Sequence, residues 1–565
     1  MAGGLSIYYV PPRLVGPINR WSGLSRPSPI LTQVKRLGMN AIWLSPFHPV
    51  TKVEKHKHGE VQTGSLYAMR DHFTFDPEFS SGSTRADSRH LKAFTAKARQ
   101  DGLTVMADLV FNHVAADHPL VIKETRQIEQ LRKIADAQGV SLVPLYGKEG
   151  DVQDSADHGP LVGWRADGAL KLPAALSKRM ENGRFLTRFQ RNMDGSAFID
   201  GPEDDPWSDA VKINYDSPEG FAHFVTGHGD DPGYWEKSID WYLDHGFNGF
   251  RCDVAYAVPP RVWSHLVQHA HDKQPDVTFM GETIGGGEMV NRLEQATITD
   301  RKTGKTRKAF DHAMHGQYWW DYRDNWYADH EVDKNRRAAR FGGAAFPDNH
   351  DTPDTLAGAL RKQHGKSAKA DQIIADTLVR DWTIAALTGN SAYMQMGYEF
   401  ARETQNEVFK GHGSVADWKQ LRKRRDKPGS QLNLVARLAA VNGLKHRLGI
   451  DNSLADIIPG QTHYNGRLSE LQIRFRDADT GAPTGEIKLM VNLKPEDGPV
   501  EVNTLHHAGL QQDGTRQILK SAHEANNPRM IRDVMILHTP PKPGSTLTRK
   551  LRFSTSLSSP KTGNP

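Results

Sequence analysis

The stretch NGFRCDVAYAVPP, residues 248–260, places Arg251 and Asp253 on either side of the chain's single cysteine, Cys252. Side chains alternate along a strand, so Arg251 and Asp253 share one face and Cys252 takes the other. A fixed guanidinium on that face orients the carboxylate and favours its ionised form. Cys252, turned away, reads as a small core residue rather than a reactive thiol. What the pair does depends on what else points at the same place.

Other short apolar runs have the same form. Residues 40–46 (NAIWLSP), 103–111 (LTVMADLVF), 247–252, 277–281 (VTFMG), 343–347 (GAAFP) and 391–396 (SAYMQM) alternate with helix-like text such as SRHLKAFTAKARQDG. Continuous apolar strands separated by helical stretches predict a parallel sheet covered on both faces. With further strands near 60–75 and 309–320, the economical solution is an α/β fold, a (β/α)8 TIM barrel.

Asp253 and Glu282 lie 29 residues apart, about one βα unit, whereas Asp108 and Asp253 lie 145 apart. The excess text is polar and rich in Gly and Asp (GKEGDVQDSADHG, DGPEDDPWSD), which predicts a subdomain inserted after strand 3. Insertions at that end of a barrel shape clefts. After about residue 440, IKLMVNLKP and VMILHTPP read as strands of a C-terminal β-sandwich domain, and SLSSPKTGNP as a frayed tail. The expected division is a catalytic barrel over 1–113 and 225–435, an inserted subdomain over 114–224, and a C-terminal β domain over 436–565 with a disordered tail.

A chain of 565 residues exceeds one hydrophobic core. Its 37% hydrophobic and 25% charged residues are ordinary for a soluble protein, and a net charge of +5 does not call for a nucleic-acid partner. One cysteine excludes an internal disulfide framework. The opening MAGGLSIYYVPPRLVG lacks the pattern of a secretory signal, and no stretch approaches the roughly 20 apolar residues of a membrane span. The expected setting is cytoplasmic, without membrane or nucleic-acid partners. The basic run KQLRKRRDK (419–427) lacks interleaved aromatics and reads as a solvated helix face, HKHGE (56–60) as a solvated loop rather than a metal site, and DRKTGKTRK (300–308) as a mobile basic loop that could meet a phosphorylated donor.

Four carboxylates directly follow apolar strand candidates: Asp108, Asp253, Glu282 and Asp351. One such residue most often caps the next helix. Several at successive strand ends converge on one mouth, where crowding raises at least one pKa and costs stability. Retaining cleavage of a glycosidic bond needs one carboxylate to attack and one carboxylic acid to donate a proton. Asp253, held by Arg251, is the candidate nucleophile.

At these residues the chain resembles the α-amylase superfamily, glycoside hydrolase family 13. DLVFNH (108–113), GFRCDV (249–254), GETIGG (281–286) and PDNHD (347–351) are similar to its motif blocks in order. GSLYAMRDHFTFDPEFS (64–80) is similar to its second-strand segment, WSDAVKINYDSPEG (207–220) to the end of its inserted subdomain, and GNSAYMQMGYE (389–399) to its eighth-strand block. The resemblance covers about residues 30–400. It implies Asp253 as nucleophile, Glu282 as general acid/base and Asp351 as the group that holds the hydroxyls of the distorted sugar, aided by His350 and His113. It further implies that Tyr67 stacks on that sugar, that Arg251 positions the nucleophile and that Asp108 is structural. No cofactor is required by that chemistry. Asn112 matches a position that ligates calcium in many members.

Two departures bear on the substrate. Tyr256 and Ala257 stand where typical members have Lys-His on the leaving-group side. LSPFHPVTKVEKHKHGE, placed on the loop after strand one, and NHVAADHPLV are similar to the maltosyl-transferring branch, whose members move a disaccharide between glucans or from maltose 1-phosphate. The leading expectation is a retaining enzyme of α-1,4-linked glucose chains: starch, glycogen or maltooligosaccharides. Alternatives are an α-glucan maltosyltransferase, then a sucrose- or trehalose-directed enzyme, then a catalytically dead glycan-binding barrel.

Overall fold

The computed structural model describes residues 4–53, 62–63, 65–198, 209–283, 287–301, 303–314, 343–352, 354–405, 417–463, 466–477, 480–498, 500–501, 517–519, 530–531 and 534–539. HKHGE (56–60) and the terminal SLSSPKTGNP lie outside them, as does part of the 309–320 segment.

Eight parallel strands close into a barrel: β1 Ser6–Val10, β2 Ala41–Leu44, β3 Thr104–Leu109, β4 Gly249–Cys252, β5 Thr278–Glu282, β6 His312–Met314, β7 Gly343–Ala345 and β8 Ser391–Gln395. Each pairs with its neighbours in chain order, and β1 closes the ring between β8 and β2. Seven of the eight fall on the expected apolar runs. The exception is a correction: the segment near 60–75 supplies no barrel strand. There, Gln62–Thr63 pairs only with Lys52–Val53, and the described residues after it run through turns. Its polar residues Ser65, Arg70, Asp71 and His72 interrupt any apolar run. The missing strand is SIYYV, five residues with strong strand preference, buried at every position. Ala41–Leu44 is therefore the second strand, and the loop carrying LSPFHP and Tyr67 follows β2.

The strand pleat sorts side chains into two layers. Leu5, Ile7, Tyr9, Ala41, Trp43, Met106, Met280, Met314, Phe346 and Tyr393 fill the barrel interior. Their neighbours Tyr8, Val10, Ile42, Leu44, Val105, Leu109, Phe250, Cys252 and Phe279 join the larger cluster under the helices. Cys252 is fully buried in that outer layer, away from Arg251. Helices α1 Pro29–Leu37, α2 Thr84–Gln100, α3 Tyr234–Asp244, α4 Pro260–Lys273, α5 Gly287–Gln295, α6 Ala368–Thr388 and α7 Val435–Arg447 lie among the strands in sequence. Helix α1 shows how local chemistry sets its ends: Ser28 caps it by accepting from Leu31 N, Pro29 opens it, and Gly38 closes it at φ 64°.

Between β3 and α3 the chain builds a separate unit. Helix Pro119–Ala137 packs on a five-stranded antiparallel sheet, with Ile128, Leu131, Leu161, Trp164, Leu176 and Phe185 between them. The pair His113–Ala115 and Ala210–Lys212 joins its departing and returning chains beside the barrel mouth. The strands Thr297–Thr299 and Thr306–Lys308 form a hairpin. Arg301 pairs with Asp272, and Lys308 with Glu294 at 2.8 Å.

The C-terminal strands Ser453–His463, Leu468–Asp477, Pro483–Asn492, Val534–Thr539 and Gln517–Leu519 form one antiparallel sheet. Its apolar residues Leu471, Ile473, Ile487, Leu489 and Val491 pack with Ile384 and Leu387 of α6 and Leu444 of α7. Arg380 of α6 adds hydrogen bonds to the carbonyls of Asn492 (3.3 Å) and Leu493 (3.0 Å). No helix among the described residues is long and apolar enough to cross a membrane.

Candidate active site

Arg251 is fully buried inside the barrel, and its register opposite Asp108 places the two side chains on one level. Its Nη1 lies 2.9 Å from Asp108 Oδ1 and 2.5 Å from Asp253 Oδ1, while Nη2 lies 2.5 Å from Glu282 Oε1. One guanidinium thus serves three carboxyls. Asp108 is held further by Trp43 Nε1 at 3.1 Å and Tyr67 Oη at 3.2 Å. The guanidinium also lies over the rings of Trp43 and Tyr67, 5.1 and 5.6 Å from their centroids, which a planar cation favours.

Above this layer is a cavity of about 300 Å³. Asp253, Glu282 and Asp351 all line it, with Tyr67, His113, His350 and Tyr256. The candidates named from the sequence are therefore brought together, apart from Arg251 and Asn112, which do not line the cavity. His350 is packed between two phenols: its ring stacks on Tyr67 (centroids 5.5 Å apart) and Tyr9 (5.1 Å). Its Nε2 is 2.8 Å from Tyr67 Oη and 3.5 Å from Asp351 Oδ2. Asp351 follows a turn in which Asn349 Oδ1 accepts from both Asp351 N and Thr352 N at 3.0 Å.

Removal from water pushes the carboxyls up against the pull of Arg251: Asp108 to about 6, Asp253 to about 7 and Glu282 to about 8. They titrate as a group, because each proton bound relieves the repulsion felt by the others. Arg251 pulls Asp253 down, as their spacing suggests, but burial outweighs that pull. Burial also pushes His350 down to about 4, so its ring is neutral near neutral pH. The cluster accordingly holds a carboxylic acid beside a carboxylate, the pairing that acid-assisted displacement needs.

Two lining features escaped the sequence reading. Asp209, from the returning chain of the insertion, accepts from Ser65 N at 2.7 Å and fixes the wall opposite Asp351's loop. A carboxylate just before a short apolar strand was its only signal. The second is Val254, whose φ of 43° and ψ of 40° put a β-branched residue in the left-handed region. Such a conformation costs on the order of 1–3 kcal/mol and persists where the surroundings impose it. Its N–H donates to Glu282 Oε2 at 2.7 Å. No sequence signal marks that turn.

Asn112 is buried, with its amide 3.3 Å from His113 Nδ1. Among the described residues no group of three or more His, Cys, Asp or Glu side chains could hold a metal ion.

A closed parallel barrel with paired carboxyls at its strand ends is the architecture of α-amylase-type proteins. The family described as the α-amylase catalytic domain matches residues 28–136, which bears out the resemblance carried by the motifs. The chain is similar to the α-1,4-glucan:maltose-1-phosphate maltosyltransferase of Mycolicibacterium smegmatis, 23% identical over 262 residues, 45% of this chain and 27% of that protein. It is similar in the same degree, 23% over 254 residues, to α-amylase MalA of Haloarcula japonica, covering 45% of this chain and 26% of that protein. The match thus spans about a quarter of each curated relative's length. Among solved structures, an α-amylase from Lactobacillus plantarum superposes with TM-score 0.54 at 19% identity, covering 94% of this chain and 98% of that one. A maltogenic α-amylase from Thermotoga neapolitana gives 0.55 at 17%, covering 95% and 96%. At these identities the structural likeness shows the fold, a TIM barrel.

Proposed function

We propose that this chain is a retaining α-glucan-active enzyme that cleaves or transfers α-1,4-linked glucosyl units. The observation that carries the reading is the sharing of one guanidinium by Asp253 and Glu282 at the floor of a lined cavity. Two carboxyls on the two nitrogens of one fork stand close together, which supports the short-separation class, about 5–5.5 Å, used by retaining glycosidases. Asp253 attacks the anomeric carbon while the bond to the departing oxygen breaks and Glu282 gives that oxygen its proton. The product is a β-linked glycosyl ester of Asp253. Water or a sugar hydroxyl, losing its proton to Glu282, then displaces the ester and leaves an α product. Asp351 and the neutral His350 hold the hydroxyls of the distorted sugar, with Tyr67 stacked on its ring.

Two names among the relatives divide the substrate question: one acts on maltose 1-phosphate, the other is an α-amylase. Among the described residues no Lys or Arg lines the cavity, so nothing described there neutralises a phosphate dianion, whereas a neutral glucan needs no counter-charge. A neutral donor is therefore our reading, and a phosphorylated one the alternative. Incubation with maltoheptaose, with and without phosphate, tests both. Shorter chains formed without phosphate support the proposal. Shortening that requires phosphate would replace it with maltosyl transfer from a phosphate ester. No change in chain length would end the α-glucan reading.

A further inference from the structure

The residue after the candidate nucleophile carries a conformation that its side chain resists, and both flanks impose it. Asp253 N still donates to Leu109 O at 2.9 Å, as if the sheet continued. One residue later the chain must enter the tight turn Ala255–Ala257, which Ala257 N closes on Val254 O at 2.9 Å and Trp263 Nε1 pins through Ala255 O at 2.9 Å. Val254 absorbs the change of direction in the left-handed region. The turn points its N–H away from the ladder and onto Glu282 Oε2 at 2.7 Å.

We propose that Val254 is a positioning residue for Glu282, its strained peptide N–H holding Oε2 and so fixing the plane in which that carboxyl gives and takes its proton. The proposal rests on the reading of Glu282 as the acid/base. Arg251 Nη2 lies 2.5 Å from Oε1 as an ion pair without a directed hydrogen bond. The Val254 N–H is a directed donor to the other oxygen, and it fixes the orientation of the carboxyl plane. The remaining charged groups facing Glu282 are Asp253, Asp351 and Asp108, and none of them can donate while ionised.

The decisive variant replaces Val254 by its α-hydroxy acid, turning the 253–254 amide into an ester and deleting only the N–H. On a maltooligosaccharide, kcat is expected to fall about tenfold with KM within about twofold, since one charge-assisted donor is lost. The alkaline limb of the pH profile should move up, because a hydrogen bond to the ionised carboxyl has gone. Val254→Gly keeps the N–H and should raise Tm while leaving that limb in place. An ester protein with the wild-type profile, or a Gly variant no more stable than wild type, overturns the proposal. If the ester protein fails to fold, selective 15N-valine labelling of the native chain replaces it. The Val254 amide proton should then titrate with the alkaline limb and cease to do so in Glu282→Gln; a shift independent of pH is the overturning result. A Glu282→Gln enzyme that keeps its turnover would instead sink the acid/base reading beneath it.

Discussion

Two ionic clusters among the described residues have opposite balance. In the inserted segment, Glu124 and Glu219 meet Arg179, Arg188 and Arg191: Arg191 lies 3.1 Å from Glu124, and Arg179 and Arg188 lie 2.6 and 2.7 Å from Glu219. Glu124 also accepts from the backbone of Arg188 and Phe189. Cations are in excess there, and each carboxylate is held by several donors. At the barrel mouth, one Arg251 faces Asp108, Asp253 and Glu282. The first cluster ties helix Pro119–Ala137 to the chain that crosses it. The second leaves negative charge uncompensated, so it must store protons. Starving a buried site of counter-ions costs stability and yields acid/base chemistry.

The contrast can be broken at several points. Glu282→Gln or Asp253→Asn should cut turnover by about 10⁴-fold while retaining glucan binding, as single losses in a cooperating catalytic set do; steady-state rates beside equilibrium binding check this. Arg251→Met should destabilise the fold by about 3–5 kcal/mol at pH 8 and by less at pH 5, where the stranded carboxyls are protonated, as denaturant midpoints at the two pH values would show. Glu124→Gln breaks only the saturated cluster. It should cost about 3 kcal/mol in urea unfolding with kcat/KM within about twofold of wild type, and a large loss of activity would mean that the two clusters are not independent.

The smallest effect is a pH dependence. Glu282 has a folded pKa of about 8, above its ordinary 4.5, so the native state keeps a proton that the unfolded chain has released. Stability therefore falls as pH rises from about 4.5 through about 8. Glu282→Gln lacks that loss, so its stability relative to wild type should improve by about 2 kcal/mol or more between pH 5 and pH 9. The same proton shapes the rate: kcat/KM should peak between the limbs of Asp253, near 7, and Glu282, near 8.

The barrel was legible where strands are buried on both faces, because such strands need unbroken apolar text. AIWL, TVMADL, GFRC and SAYMQ all declare themselves this way. SIYYV is short and two prolines follow it, which masks it as a strand, while Tyr67 lies in a segment whose aromatic text imitates a strand yet lines the cavity. The charged candidates were legible because carboxylates at successive strand ends are improbable without a shared purpose. Asp209 and Val254 were not. One acts across a chain return about 144 residues from its partner Ser65, and the other through a backbone angle that no side chain announces.

The strand SIYYV has a consequence for how the protein is made. Its neighbour β8 lies almost at the far end of the barrel in sequence, 386 residues from Leu5 to the Ser391 hydroxyl that accepts its amide. At about 5–20 residues per second of synthesis, β1 waits roughly 20–80 s for that partner. During that interval a five-residue edge, apolar or aromatic at Ile7, Tyr8, Tyr9 and Val10, has water, another nascent chain or a chaperone for company. The ring that holds the clustered carboxyls is thus completed late, and yield in the cell should depend on the pace of translation as much as on the stability of the finished fold.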